Sequence, residues 1–511
     1  MVQYSSMQIF HSKIYFLSTG LLVGMCSMGL ELCASRLLAP HFGTSVVVWT
    51  NVIGVVLLSL SLGYYLGGKL AERQSNTRIL AWLLYTGSVL TLFIPLVAPF
   101  LLQSVFIRYG SPHIILTLLL GPLIASIVLF GLPVFLMGTI SPYLLTLLTQ
   151  KFGHVGSTSG QLFALSTIGG LLGTFLPTLL LVPWLGTRVT ITLFGLLLGL
   201  ISLPHLGAKK RIIQAAIALA LLTAAQILLP QNTTEVASAE TAYQRVAINS
   251  PRQGLHYLQL DAGFGVQSVY DPESILTGYY YDYASLLPYL LNRDLKKEPA
   301  QVLIVGLAGG TIARQMHYFF DSEVSLHGVE LDPGVTRMAN DYMGLRDTPI
   351  QITHGDGRQV LAEDTNTYDI IIVDTYFNDL QIPWTMTTEE FWRVVQNHLK
   401  PDGIAAMNIA ALGASKSALA DAITNTQAHV FPYVYEAKLK EGKNSNHLVI
   451  LSSTNPNATV RFSALPPSEI APLGELLAHE LTRISPNSIV ATLTDDKAPI
   501  EWLMARDGLS H

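Results

Sequence analysis

Three acids stand where three expected strands end. Glu330 closes VSLHGVE, Asp356 follows ITHG and Asp374 closes YDIIIVD. In an open α/β sheet, ligands bind beyond the carboxyl ends of the strands, and an acid after the second strand can accept both hydroxyls of a ribose. Upstream, VLIVGLAGG (302–310) turns from a strand into a helix through Gly306, Gly309 and Gly310. Glycine permits a tight turn and a close backbone approach to a ligand. The helix that follows offers unpaired N–H groups. The spacing is not G-x-G-x-x-G, so a nicotinamide dinucleotide is not favoured. A structural carboxylate accounts for one such acid. Three in register along one edge point to a ligand crevice.

The elements that must hold these residues follow from pattern. Strands are expected near 301–306, 324–329, 350–354, 369–374 and 403–409, and helices near 311–320, 333–343, 387–399 and 414–427. FPYVYEAKL and HLVILSS read as two closing strands. The result is an open, mostly parallel sheet with helices on both faces. Ahead of it, YQRVAINS through QSVYD alternates and carries Gly263 and Gly265, which suggests a small antiparallel sheet. The polar stretch QNTTEVASAE (231–240) reads as a linker.

Residues 1–230 have another character. They hold eleven Lys/Arg and two acids, whereas residues 231–511 hold nineteen Lys/Arg and thirty-three acids. The acidic half argues against nucleic acid, whose phosphates need a positive surface. It suits a cationic substrate. Apolar runs of spanning length cover 14–34, 45–66, 79–102, 113–148, 160–182, 189–204 and 212–229. About seven helices are expected, with six to eight fitting, because Pro122, Pro133 and Pro142 interrupt the fourth run. Lys13, Lys151 and the loops around Lys69, Arg73 and Arg78 and around Lys209, Lys210 and Arg211 belong on the cytoplasmic side. Seven spans would put the acidic half outside, and six or eight would put it inside. Glu31, with Arg36 nearby, sits in the first run, where an acid is either functional or a paired structural group. Cys26 and Cys33 share that run and form neither a disulfide framework nor a metal site.

These segments resemble the spermidine synthase family, the polyamine aminopropyltransferases, over roughly 243–455. VLIVGLAGG is similar to the family's glycine loop, and VELDP to the segment whose acid holds the ribose. HGDGR is similar to the segment whose Asp sits by the adenine, and YDIIIVD to the one ending in the catalytic Asp. GVQS resembles the segment with a cofactor-contacting Gln, here Gln267. YYYD (279–282) occupies the place of a Tyr-His-Glu segment near the active centre, and LKPDG precedes the fifth strand as in that family. ELCASRLLAPHFG, GYYLGGKLAER, IPWTMTTEEF and TDDKAPIE are similar to the form fused to an N-terminal multi-span membrane domain.

The resemblance implies an α-helical membrane domain followed by an α/β S-adenosylmethionine-methyltransferase-like (Rossmann-like) domain with a small N-terminal antiparallel β-sheet. The implied division is 1–230 for the membrane domain, 231–240 for the linker, 241–295 for the small sheet and 296–511 for the catalytic domain. Asp374, Tyr281 and Asp282 would be catalytic. Gln267, Gly306, Gly309, Gly310, Glu330, Asp356 and Gly357 would bind the nucleoside, without a metal. The implied reaction moves an aminopropyl group from decarboxylated S-adenosylmethionine to an amine such as putrescine, giving spermidine and 5'-methylthioadenosine. No cofactor is permanently bound. The expected partners are a cationic amine, the lipid bilayer and a second copy of the chain, with no nucleic acid. The expected location is the cell membrane, with the soluble domain in the cytoplasm.

The departures lie at the amine end. The family's loop has an acid where this chain has Gly309, a second active-site acid is replaced by Phe377, and the His of Tyr-His-Glu is Tyr281. Asp379, Asp495 or Asp496 would have to restore the acidity. Three functions therefore fit: aminopropyl transfer, another transferase or sulfonium-cleaving enzyme using S-adenosylmethionine, and a transporter or sensor whose soluble half only binds a nucleoside.

Overall fold

The computed structural model describes residues 13–42, 46–105, 114–205, 234–241, 243–261, 265–291, 293–376, 382–411, 417–441, 445–453 and 470–509. The chain divides into two units between Asn232 and Thr233. In the first, five helices are long and apolar enough to cross a membrane: α1 (Lys13–Phe42), α2 (Val46–Arg73), α3 (Thr77–Leu102), α4 (Leu120–Phe152) and α5 (Val155–Leu185). This is a multi-pass membrane protein. A sixth apolar helix, α6 (Thr187–Ser202), has 16 residues, about 24 Å at 1.5 Å per residue. The run expected at 212–229 lies outside the described residues.

The proline-rich fourth run forms one helix rather than two. Pro133 and Pro183 have no N–H to return to the preceding turn. A π-helical turn stands just ahead of each, Ile127–Gly131 and Pro177–Leu181, and the helices continue through them.

Two sheets build the second unit. The smaller is antiparallel, in the order β1 (Glu235–Glu240), β2 (Arg245–Arg252), β3 (Leu255–Leu260), β4 (Ser268–Tyr270). β1 corrects the expected linker at 231–240. EVASAE has little apolar bulk, but its alternation half-buries every second residue, and Ala237 and Ala239 pack on the core. Arg245 anchors the strand by a 2.7 Å ion pair to Glu235.

The larger sheet comprises β5 (Ala300–Val305), β6 (Val324–Glu330), β7 (Ile350–His354), β8 (Tyr368–Val373), β9 (Leu399–Ala411), β10 (Tyr433–Glu441), β11 (Ser445–Ser453) and β12 (Thr482–Ile484). Its order is β12–β10–β11–β9–β8–β5–β6–β7. The pairs from β7 to β9 are parallel, and those from β9 through β11 and β10 to β12 are antiparallel. This is the expected Rossmann-like sheet. Every residue of β8 is buried, as a strand covered on both faces requires. In β5, Val302 and Ile304 pack on one face while Leu303 and Val305 pack on the other. The first face carries α8 (Thr311–Phe320), α9 (Pro333–Tyr342) and α13 (Ala471–Glu480), behind the short α7 (Tyr281–Ala284). The second carries α10 (Gly357–Glu363), α11 (Glu389–Asn397), α12 (Ala418–Val430) and α14 (Ile500–Leu509). VELDP ends β6 and starts α9 at once. Asp332 caps the Gly334 N–H, and Pro333 takes the first turn, where its missing N–H costs nothing.

Candidate active site

Backbone bonds stitch together the carboxyl ends of four adjacent strands. The Asp374 N–H donates to Val305 O (2.9 Å), the Gly306 N–H to Val329 O (2.9 Å) and the Gly355 N–H to Glu330 O (3.1 Å). The chain thus leaves β8, β5, β6 and β7 along one rim, and β5 is the point where the strand order reverses. Gly306 has φ 92°, and a Cβ there would lie 2.2 Å from Asp374 O. No other residue suits that position on either count. Gly310 has φ 77°, with Leu345 Cδ1 2.5 Å from where a Cβ would be.

Glu330 holds this loop. Its Oε2 accepts from the Ala308 N–H (2.9 Å) and its Oε1 from the Asp332 N–H (3.0 Å). Ala308 is itself left-handed, with φ 47°, a conformation that costs a non-glycine residue energy. Burial raises the Glu330 pKa, against the pull of those backbone bonds. Each carboxylate oxygen has a further acceptor site, so the acid can still receive a diol.

Asp356 caps α10 through Oδ1, which accepts from the Arg358 and Gln359 N–H groups (both 3.0 Å). Its residue is exposed at the rim. Gly357 lets α10 lie against β5, since a Cβ there would come within 2.4 Å of Val305 Cγ1. Arg358 reaches the far end of the chain. It grips both oxygens of Asp495 (2.7 and 2.6 Å), and Thr388 donates to the same carboxylate (2.8 Å). Asp495 is thereby engaged at α10.

Asp374 accepts from the Tyr280 hydroxyl at 2.6 Å and from Asn408 Nδ2 at 3.3 Å. Solvent reaches one edge of the residue, yet the surrounding protein pushes its pKa up to about 6, burial outweighing those two bonds. Tyr280 is buried. Burial, then the charge of Asp374, drives its phenol well above the ordinary 10, so it remains a proton donor. An acid poised near neutrality and oriented by a fixed donor can take up a proton or hold a cation.

The remaining expected residues are placed differently. Tyr281 donates to Val266 O (2.7 Å), and its ring packs 4.2 Å from that of Tyr280. Tyr280, not Tyr281, is the tyrosine bonded to Asp374. Asp282 is turned to its own loop, where it accepts from Thr277 N–H (3.0 Å), Thr277 Oγ1 (2.8 Å), Gly278 N–H (2.7 Å) and Gln315 Nε2 (2.5 Å). Gln267 leads into β4, its N–H bonded to Leu258 O. The Gly309 N–H donates to Ser268 Oγ (2.8 Å), and a Cβ at 309 would lie 2.6 Å from Ser268 Cβ. The serine of GVQS therefore fills the space where the resemblance would put an acid. Phe377 and Asp379 lie outside the described residues.

Tyr280, Asn408 and Ser268 escaped the sequence reading. Asn408 left a trace, as the lone polar side chain in GIAAMNIAA near the end of a buried strand. Ser268 directly follows the expected Gln267, and Tyr280 directly precedes Tyr281.

A parallel sheet with a glycine loop after one strand and acids after the next three defines a Rossmann-like fold of the S-adenosylmethionine-methyltransferase type. The profile of the spermine/spermidine synthase domain matches residues 291–457. A probable polyamine aminopropyl transferase from Bifidobacterium longum is 31% identical over 258 residues, 47% of this chain. The match spans 56% of that relative's own length. A polyamine aminopropyltransferase from Oceanobacillus iheyensis is 24% identical over 426 residues, covering 77% of this chain and 76% of that one. A solved probable spermidine synthase from Corynebacterium glutamicum aligns with 51% of this chain and 96% of its own, at 16% identity and a TM-score of 0.40. The chain thus carries a domain distantly similar to polyamine aminopropyltransferases, fused to an N-terminal region of long apolar helices.

Proposed function

We propose that the second unit transfers an aminopropyl group from decarboxylated S-adenosylmethionine to a polyamine such as putrescine. The observation that carries this is the Asp374 carboxylate, held by Tyr280 and Asn408 beside the glycine loop. The similarity to aminopropyltransferases supports it. The amine nitrogen attacks the methylene next to the sulfonium, a C–N bond forms and the C–S bond breaks. The bonding pair passes to sulfur, and 5'-methylthioadenosine leaves. Free amines have pKa values near that of Lys, about 10.4, so the nucleophile arrives protonated. Asp374 removes one proton as general base. The remaining cationic charge suits the acidic unit. Glu330 takes the ribose diol, Asp356 the adenine amine, and the backbone of Gly306, Gly309 and Gly310 lies against the nucleoside. Gln267 contacts the cofactor side, Gly357 seats α10, and Tyr281 and Asp282 shape the wall around Tyr280. The unit faces the cytoplasm, where sulfonium nucleosides are made, and the chain pairs as a homodimer.

Purified full-length protein is to be incubated with decarboxylated or intact S-adenosylmethionine, with and without putrescine, and the products read by mass. Spermidine and methylthioadenosine from the decarboxylated compound support the proposal. Their absence from a folded preparation sinks it. One observation favours a second reading. Ser268 occupies the place of the missing loop acid, so the transferred group could be other than aminopropyl. Methylated amine from intact S-adenosylmethionine would establish that alternative.

A further inference from the structure

The membrane unit repeats itself. A Cβ on Gly63 of α2 would lie 2.4 Å from Phe135 O of α4, and one on Gly67 2.5 Å from Thr139 O. The same contacts recur between α5 and α1. A Cβ on Gly169 would lie 1.8 Å from Leu21 O, and one on Gly173 2.1 Å from Met25 O. Gly169 and Gly173 stand 106 residues after Gly63 and Gly67, and Phe135 and Thr139 stand 114 after Leu21 and Met25. The reciprocal contacts obey the same two shifts. A Cβ on Gly138 meets Leu60 O at 2.9 Å, and one on Gly24 meets Ser166 O at 2.3 Å. α1 therefore corresponds to α4, and α2 to α5. The remaining pair, α3 and α6, pack on each other through the Ser88 hydroxyl, which donates to Gly195 O (2.7 Å), and both open on Thr-Arg.

The copies run in opposite directions. Contacts between α1 and α5 advance together, from Gly20 with Leu162 to Gly24 with Ser166, so these helices are parallel. Those between α2 and α4 advance together too, from Gly63 with Phe135 to Gly67 with Thr139. The equivalent helices α1 and α4 are antiparallel: Lys151, at the end of α4, lies over the ring of Phe16, at the start of α1. Helices α1–α3 and α4–α6 are upside-down copies of one three-helix motif. Two inverted halves can rock against each other and open alternately to either side, with a binding site at midplane where helices are interrupted.

A site of that kind has a candidate residue. Extending the Leu21–Gly169 and Met25–Gly173 register by one turn brings Gly29 level with Pro177, where α5 is interrupted by its π turn. Glu31, partly buried, follows within that stretch of α1. Residues 1–230 have only one other acid, Glu72, which is exposed near the end of α2. The counterpart of Glu31, 114 residues on, is Leu145, so the acid breaks the repeat. A carboxylate among apolar spans is costly and is by default a candidate for a functional site, and its negative charge suits a cation. We propose that the membrane unit is a carrier built of two inverted three-helix repeats, and that Glu31, on α1 where it passes the interrupted turn of α5, binds a small organic cation.

This does not depend on the chemistry assigned to the second unit. Full-length protein in sealed liposomes is to be tested with labelled putrescine outside. Label freed when the vesicles are permeabilised counts as carried, and label that stays with protein counts as bound. The expected result is saturable uptake at least about ten-fold above protein-free vesicles, lost in Glu31→Gln and kept in Glu31→Asp, with all three proteins melting alike. Absence of uptake, or uptake equal in Glu31→Gln, overturns the carrier. Val46→Cys and Val155→Cys test the inversion, because an impermeant thiol reagent should reach them from opposite sides. Labelling from one side overturns it. Aminopropyl transfer, assayed on the same preparation in detergent, fails or survives separately.

Discussion

At the residue scale, burial moves the Asp374 carboxyl toward neutral pH. Its pKa is pushed up to about 6 in the fold from an ordinary 3.8. If it acts as the base, turnover should rise with pH through a midpoint near 6. Asp374→Asn should lower turnover by about 10²–10⁴-fold and remove that limb. The stability effect has the opposite sign. The folded protein holds this proton more tightly than the unfolded chain, so the carboxylate costs nothing below the unfolded value of 3.8, costs progressively more as pH rises toward about 6, and costs its full amount above that. Melting curves should show Asp374→Asn more stable than the parent at pH 7.5 by about 1–3 kcal/mol, with the gap closing toward pH 4. A variant that melts lower at pH 7.5 contradicts this. The two neighbouring tyrosines give a sharper comparison. Tyr280→Phe removes the donor to Asp374 and should cut turnover about ten-fold or more while shifting the pH limb upward, because a bond that favours the carboxylate is lost. Tyr281→Phe removes a bond to Val266 O and a contact with the Tyr280 hydroxyl; it should cost about 1 kcal/mol of stability and move the limb less than Tyr280→Phe does.

At the element scale, the glycine loop and the end of β6 act as one piece. The Glu330 side chain holds the Ala308 N–H, and Ala308 sits in a left-handed conformation. Glu330→Ala should therefore do two things. Calorimetry should show nucleoside affinity weakened by about ten-fold or more, as loss of a charged-group bond predicts. Hydrogen exchange should quicken across 306–310 even without nucleoside. Weakened affinity with an unchanged loop would confine Glu330 to the ligand. The strand ends were legible in the sequence because an apolar run followed by an acid is a strong signal. YDIIIVD showed both its strand and its carboxylate. Which tyrosine of YYYD meets that carboxylate was not legible, because one step along a helical turn rotates a side chain by about 100° and only packing fixes the rotation. β1 was missed because EVASAE lacks the large side chains that mark strands. α10 was missed because its seven residues are too few to show a period.

At the scale of the whole second unit, Arg358 and Asp495 join residues far apart in sequence. The Arg358 guanidinium holds the Asp495 carboxyl below its ordinary pKa, so the pair is intact above the usual carboxylate range and lost as pH falls below it. Arg358→Ala should lower the melting temperature at pH 7 and loosen α10. It should weaken nucleoside binding less than Asp356→Ala does, although the two residues are neighbours but one. Equal losses of affinity would place Arg358 itself against the ligand.

That pairing also has a consequence in time. A ribosome makes the apolar helices first, and Asp495 of TDDKAPIE only 137 residues after Arg358. β5 to β8 can therefore emerge while the acid that clamps α10 is still unmade. The spans can thus be inserted into the bilayer while the rim at α10 is open. If the clamp is needed for the proposed nucleoside site, that site matures only after TDDKAPIE has been made, and a chain stalled ahead of that segment would be embedded in the membrane with the rim at α10 unfinished.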